Sequence, residues 1–239
     1  MTMHMRITSG KPGTASRHVK YILRKGEFSS HSKSNDLVQS FSGNLPPNVS
    51  DPVQFFSAAD KGERKNGAAY REMVLAVPRE LTDQQNVELG REFIAVVLPG
   101  RPYVCAYHKS IASLDRGLNP HFHIVYSDRI MDGIEREPEA YFHRFNKRHP
   151  AQGGCKKASG GQSPVELREE LKEVRSTWAE LQNTKLQESG HQPRMDPRSH
   201  FERGLKTLPE IHLGPAHIRG LTDAQKEEIR DSRASSAKE

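Results

Sequence analysis

The chain predicts a mixed α and β fold built on one sizeable domain, and three observations carry that prediction. Residues 3–8, Tyr70–Val77, Tyr103–His108 and His121–Tyr126 read as short strands, by alternation or by their β-branched and aromatic content. Val19, Ile22 and Leu23, and later Leu167, Leu171, Val174, Trp178 and Leu181, recur at spacings of three and four, as on amphipathic helices. With 239 residues and 34% apolar content, the chain can bury a core but must carry loops and exposed charge.

In chain order, residues 3–8 form the first strand and Ser9–Gly13 the turn after it. A helix is expected from about Ala15 to Lys25, stopped by Gly26. Residues 29–50, rich in Ser, Asn and Pro, read as a long loop. Asp51 caps and Pro52 opens a helix to about Lys65. The Tyr70–Val77 strand puts Glu72, Val74 and Ala76 on one face and Arg71, Met73 and Leu75 on the other; the pattern does not choose the buried one. Thr82–Gln85 is a capping box that opens a helix through about Leu98. The histidine strands follow, joined by a loop over 110–120. Then come a polar connection over 128–137, a short helix from Pro138 to Lys147 and a Gly-, Lys- and Pro-rich stretch over 148–163. Ser163-Pro164 starts a long helix that Gly190 closes. Beyond Thr222 the chain is charged and poor in apolar residues, as in a disordered tail or a frayed helix.

Composition narrows the function classes. Lys plus Arg exceed Asp plus Glu by 36 to 30, for a net charge of +6, which favours anionic partners such as nucleic acid. Two cysteines, Cys105 and Cys155, make no disulfide framework, and a reduced cytoplasmic protein is the simplest expectation. No apolar run approaches the length of a membrane span, so no membrane insertion is expected.

The most informative run is Asn119-Pro120-His121-Phe122-His123. Alternate residues of a strand share a face, so His121 and His123 project together. His108 lies thirteen positions before His121 on a second expected strand; antiparallel pairing would bring it to the same face. Three neutral imidazoles with an open fourth position suit a catalytic divalent cation. The same pattern also suits ordinary sheet histidines, and the residues alone leave both readings open.

Tyr21 lies off the apolar stripe of its helix, flanked by Arg17, Lys20, Arg24 and Lys25. A phenol ionises only near about pH 10, so it attacks phosphorus poorly by itself. A cation that polarises the phosphate, with basic groups that stabilise the phenolate, offsets this. The product would be a phosphotyrosine ester that a free 3′ hydroxyl can reverse without ATP. Basic clusters would hold the DNA backbone, and aromatic residues near Lys147-Arg148 could stack on unpaired bases.

The histidine run, followed by Ser127-Asp128-Arg129-Ile130-Met131-Asp132-Gly133-Ile134-Glu135-Arg136, resembles the signature of the MobA/MobL relaxases, plasmid mobilisation nucleases of the HUH superfamily. The resemblance continues in order through Lys20-Tyr21-Ile22, Arg71-Glu72, Ala76-Val77-Pro78-Arg79-Glu80-Leu81, Phe142-His143-Arg144-Phe145-Asn146, Gly153-Gly154-Cys155-Lys156-Lys157, Trp178 and Ile211-His212-Leu213-Gly214-Pro215. It implies an HUH relaxase-like α+β fold, a central antiparallel sheet with helices packed outside. Residues 1–220 would be the nuclease domain and 221–239 a charged tail. It implies Tyr21 as nucleophile and His108, His121 and His123 as ligands of Mg²⁺ or Mn²⁺. Glu72 would be an acidic neighbour of the metal; where some relatives carry a second carboxylate two positions on, this chain has Val74. Arg17, Lys20, Arg24, Lys25, Arg144, Lys147, Arg148, Lys156 and Lys157 are the expected DNA contacts.

The implied activity is nicking and rejoining at a plasmid transfer origin (oriT), single-stranded around the nick, with accessory relaxosome proteins and a conjugative coupling protein as partners. The chain contains no Walker-type Gly-Lys-Ser/Thr loop, so no ATP-driven motor is expected. The alternatives are a rolling-circle replication initiator, a non-catalytic origin-binding protein and, last, a zinc hydrolase, which gives the basic tyrosine helix no task.

Overall fold

In chain order, β1 (Met5–Gly10) leads to α1 (Ala15–Ile22), β2 (Leu37–Gly43) to α2 (Pro52–Gly62) and β3 (Tyr70–Ala76) to α3 (Asp83–Val97). The hairpin β4 (Tyr103–Ile111) and β5 (Leu118–Tyr126) precedes α4 (Pro164–Glu188), α5 (Pro215–Gly220) and α6 (Asp223–Ser236). These elements come from a computed structural model, which describes residues 4–30, 34–112, 114, 117–205 and 213–236. The strands form one sheet of order β1-β3-β5-β4-β2, antiparallel at every pairing, with helices on both faces. The α+β class and its central antiparallel sheet are as expected.

Strand alternation sorts the side chains into two cores. Met73, Leu75, Cys105, Tyr107, Phe122 and Ile124 face α3 and α4, where Leu89, Phe93 and Trp178 close over them. Gly90 lets α3 approach closely, since a Cβ there would stand 2.7 Å from the Phe122 ring. Val104, Ala106 and Val125 face the other way, toward Val19 and Ile22 of α1 and Phe55 and Phe56 of α2. On β3 the Met73 and Leu75 face is the one buried in the first core, whereas Glu72, Val74 and Ala76 lie on the histidine side, where Val74 and Ala76 are only half-buried.

Local sequence signals explain the well-read helices. Thr82 and Ser163 form reciprocal capping boxes with Gln85 and Glu166, and Asp51 caps α2 by accepting from the Val53 N–H at 3.0 Å. Elsewhere tertiary contacts override the pattern. The first strand runs from 5 to 10. The expected 15–25 helix ends at Ile22, because Arg24 turns left-handed with φ 53°. The expected 29–50 loop contains β2, an edge strand whose mostly exposed side chains give no apolar alternation. The expected helix over 138–147 is one 3₁₀ turn, Pro138–Phe142. There the Arg129 guanidinium takes the Phe142 and His143 carbonyls that a longer helix would use. The charged segment after Thr222 is helical over Asp223–Ser236, and Arg230 donates to the Leu114 carbonyl at 3.1 Å. Among the described residues no helix is long and apolar enough to cross a membrane.

Candidate active site

The β4–β5 register sets His108 directly opposite His121, and His123 opposite Ala106 and Val74. All three imidazoles lie on the α1 side of the sheet. Their ring centroids are 5.7 Å (His108–His121), 5.3 Å (His108–His123) and 5.1 Å (His121–His123) apart.

Each ring is held by its own partner. His121 Nδ1 lies 2.7 Å from the Asn119 carbonyl, and His123 Nδ1 lies 2.7 Å from Glu72 Oε1. An oxygen acceptor at Nδ1 places the proton there and leaves Nε2 as the lone-pair nitrogen. His108 is fully buried, with Nδ1 2.9 Å from Asp36 Oδ1 and Nε2 2.9 Å from the Ile22 carbonyl. Burial disfavours its charged form and lowers its pKa despite the Asp36 carboxylate. Burial, reinforced by repulsion from His123 and His108, likewise takes His121 down to about 4. Glu72 responds in the opposite sense. Its burial opposes ionisation, but hydrogen bonds from His123 and His18 outweigh this and hold its carboxyl at about 2. It is therefore an anion between two imidazoles.

Helix α1 is tied to this cluster at several points. Ala15, Val19 and Ile22 are fully buried, which turns His18 and Tyr21 toward the half-buried flank of the helix. His18 Nε2 meets Glu72 Oε1 at 2.9 Å, and its ring stacks against Tyr70 and Tyr21. The α1 N-terminus is capped from α2: the Asp60 carboxylate accepts from the N–H groups of Gly13, Ala15 and Ser16 at 2.7–2.9 Å. At the C-terminus the Lys25 N–H reaches the Lys20 carbonyl and the Arg24 N–H the Tyr21 carbonyl, a Schellman closure with arginine in the glycine position. Tyr21 is thus carried on a helix fixed at both ends and joined through His18 and Glu72 to His123.

The donor set suits a divalent cation in kind, and the spacing of its rings is compatible with one. With metal–nitrogen bonds of about 2.1 Å, three imidazoles around one ion put their centroids about 5 Å apart, which the observed triangle matches. Among the described residues no group of three or more His, Cys, Asp or Glu side chains forms a ready-made metal site. In His108 both ring nitrogens face protein partners. An Nδ1–H tautomer donating to Asp36 makes Nε2 the lone-pair nitrogen, which can take a ligand role only by turning away from the Ile22 carbonyl that it faces at 2.9 Å.

The expected DNA contacts separate into two groups. Arg17, Lys20, Lys25, Arg144, Lys147, Arg148 and Lys156 are exposed. Arg24 turns inward instead, its side chain only 8% exposed against Asp36. Lys157 is also diverted, with its ammonium 3.1 Å from the buried Glu63 carboxylate that Arg129 pairs at 2.8 Å. An anion as buried as Glu63 requires such compensation. Gly153 and Gly154 let this loop lie against the backbone of 143–146; a Cβ on Gly154 would stand 2.2 Å from the His143 carbonyl. The expected motif residues Ile211 and His212 lie outside the described residues.

Sequence reasoning passed over His18, Asp36 and Asp60. His18 had a signal, being three positions from Tyr21 and so on the same helix flank. Asp36 and Asp60 had none, because each acts on a residue far along the chain.

The MobA/MobL family model matches residues 16–220. The chain belongs to the MobA/MobL family. A 43 kDa relaxation protein of Salmonella typhimurium is 38% identical over 204 residues, covering 84% of this chain and 55% of that protein. Mobilization protein A of Escherichia coli is 35% identical over 213 residues, covering 87% of this chain and 28% of that protein. This MobA/MobL chain thus spans about half of one relative's length and just over a quarter of the other's. A solved structure described as the molecular basis of vancomycin resistance transfer in Staphylococcus aureus shares its fold. That likeness has a TM-score of 0.57 at 20% identity and covers 83% of this chain and 100% of the other.

Proposed function

We propose that this MobA/MobL protein is a plasmid mobilisation relaxase that nicks one DNA strand at a transfer origin and later rejoins it. The observation that carries the reading is the attachment of the tyrosine helix to the histidine cluster: His18, three positions before Tyr21, lies 2.9 Å from the same Glu72 Oε1 that holds His123 Nδ1 at 2.7 Å. Nucleophile carrier and candidate cation ligands form one unit, as in-line attack on a phosphate requires.

The chemistry divides among named residues. The Tyr21 oxygen attacks the scissile phosphorus, the phosphorus–oxygen bond to the leaving 3′ oxygen breaks, and a phosphotyrosine ester remains on the other DNA end. That ester keeps the energy of the phosphodiester, so a 3′ hydroxyl can reverse the step. His108, His121 and His123 would hold a divalent cation, Mg²⁺ or Mn²⁺, which supplies charge neutralisation at the phosphate. Glu72 fixes the His123 ring and Asp36 the His108 ring. The exposed Arg17, Lys20, Lys25, Arg144, Lys147, Arg148 and Lys156 give the phosphate contacts. Accessory relaxosome proteins and a coupling protein complete the proposed setting, which is cytoplasmic.

The test is incubation with labelled transfer-origin oligonucleotides and Mg²⁺ or Mn²⁺, followed by mapping of the peptide–DNA adduct. The adduct should map to Tyr21 and vanish in Tyr21→Phe while DNA binding survives. An adduct that persists in Tyr21→Phe overturns the nucleophile assignment, and nicking that resists chelation removes the cation.

A further inference from the structure

We infer that Arg24 is a positioning residue that holds the Tyr21 ring and the His108 imidazole in one arrangement, rather than a DNA-phosphate contact. The inference rests on the relaxase reading and names a part of the site that the reading leaves unassigned.

Four contacts converge on this side chain. Its Nη1 donates to the Tyr21 carbonyl at 2.6 Å. Nε and Nη2 make a two-pronged pair with the Asp36 carboxylate, each at 3.0 Å to a different oxygen. Nη2 also lies 3.2 Å from His108 Nδ1; with the Nδ1 proton on Asp36 Oδ1, guanidinium and imidazole are neighbours joined through that shared carboxylate. The guanidinium carbon stands 4.8 Å from the centre of the Tyr21 ring, within cation–π range. One planar fork therefore touches the backbone and ring of the proposed nucleophile, the ring of a proposed ligand and the carboxylate that orients that ligand.

The backbone supports the same assignment. Arg24 occupies a left-handed conformation, φ 53°, where glycine is the usual residue and a Cβ is unfavourable. The left-handed turn ends α1 and directs the side chain back across Tyr21 to Asp36. Asp36 in turn belongs to a 3₁₀ turn, Ser34–Asp36, whose next residue, Leu37, pairs with His108 in the sheet. Lysine cannot reproduce the contacts, because an ammonium has no planar fork to span a carboxylate, a carbonyl and an imidazole together.

The sequence placed Arg24 with Arg17, Lys20 and Lys25 as a phosphate contact, and the two roles predict different measurements. Arg24→Gly removes the guanidinium while suiting the left-handed backbone, and Arg24→Lys keeps the charge without the fork. Three readouts apply to the full chain: single-turnover nicking of a transfer-origin oligonucleotide, the salt slope of its binding, and Mn²⁺ affinity by calorimetry without DNA. Positioning predicts that both variants nick about 100-fold more slowly, the scale of a misplaced reacting group. Mn²⁺ binding weakens in both, and the salt slope keeps its wild-type value. Nicking at the wild-type rate in Arg24→Gly overturns the inference, as does a slope reduced by about 0.7, the signature of one lost single-strand phosphate contact. Should Arg24→Gly fail to fold, Arg24→Lys decides by the same criteria. Absence of any Tyr21 adduct in the wild-type chain would count against the relaxase reading instead. The Mn²⁺ titration would still test the Arg24–His108 link, and unchanged Mn²⁺ affinity in both variants would overturn it.

Discussion

Strand β5 has two faces that share a backbone and differ in everything else. Phe122 and Ile124 point into the core beneath α3 and α4, among buried leucines, aromatics and Trp178. Their neighbours His121 and His123 point the other way, toward α1 and an ionised Glu72. On the second side, three buried or half-buried carboxylates each meet partners. Glu72 meets two imidazoles, Glu63 meets Arg129 and Lys157, and Asp36 meets Arg24 and His108. The lesson is that stability and chemistry are separated by a single residue step along one strand.

The sharpest way to break that contrast is to substitute adjacent residues. Phe122→Ala should cost about 3–5 kcal/mol of stability, the usual penalty for emptying a buried aromatic site. His123→Ala should abolish metal-dependent nicking with a much smaller change in the denaturation midpoint. Equal stability losses in the two variants would mean that the faces are not divided in this way.

Glu63→Ala probes whether paired charge on the second side is structural. Removing one partner leaves Arg129 buried without its carboxylate, and a loss of about 3 kcal/mol is expected from urea unfolding. A neutral result would show that the Arg129 bonds to backbone carbonyls suffice alone.

Acid titration discriminates next. His121 is held at about 4 against its usual 6.5, chiefly by burial. The unfolded chain then binds more protons between pH 6.5 and 4, so stability is lost as pH falls through that window. Glu72, at about 2 against 4.5, adds a loss of the same sign between pH 4.5 and 2. His121→Ala should reduce the loss in the upper window, with His108 supplying the remainder, and Glu72→Gln should reduce the loss in the lower one in denaturant titrations. Curves that stay parallel to wild type would detach these groups from the acid response. The smallest effect belongs to the surface. Lys20→Ala should lower the salt slope of single-strand binding by about 0.7 and leave stability unchanged.

Much of this was legible in the sequence, for identifiable reasons. Helix α3 announced itself through its capping box, and α4 through Ser163-Pro164 and apolar residues at spacings of three and four. The three histidines were legible because strand period and a short hairpin bring them together. Strand β2 was not, because its identity lies in its pairing with β4 rather than in any periodic pattern of its own mostly exposed residues. Arg24 and Lys157 looked like free cations, since their partners Asp36 and Glu63 lie 12 residues away across a turn and on a different element. A local pattern reports what a segment prefers; it does not report which distant carboxylate will claim a cation.

The Asp60 cap on α1 also bears on how the chain matures. At eight residues α1 is shorter than the roughly 12–15 that an isolated helix needs to persist in water. Its first N–H groups are satisfied by a carboxylate some 45 positions downstream. The tyrosine segment therefore has no reason to coil until α2 has been synthesised and has docked, and a growing chain carries Tyr21 on an unformed helix. The nucleophile acquires its orientation as a product of folding rather than as a local property of its own segment.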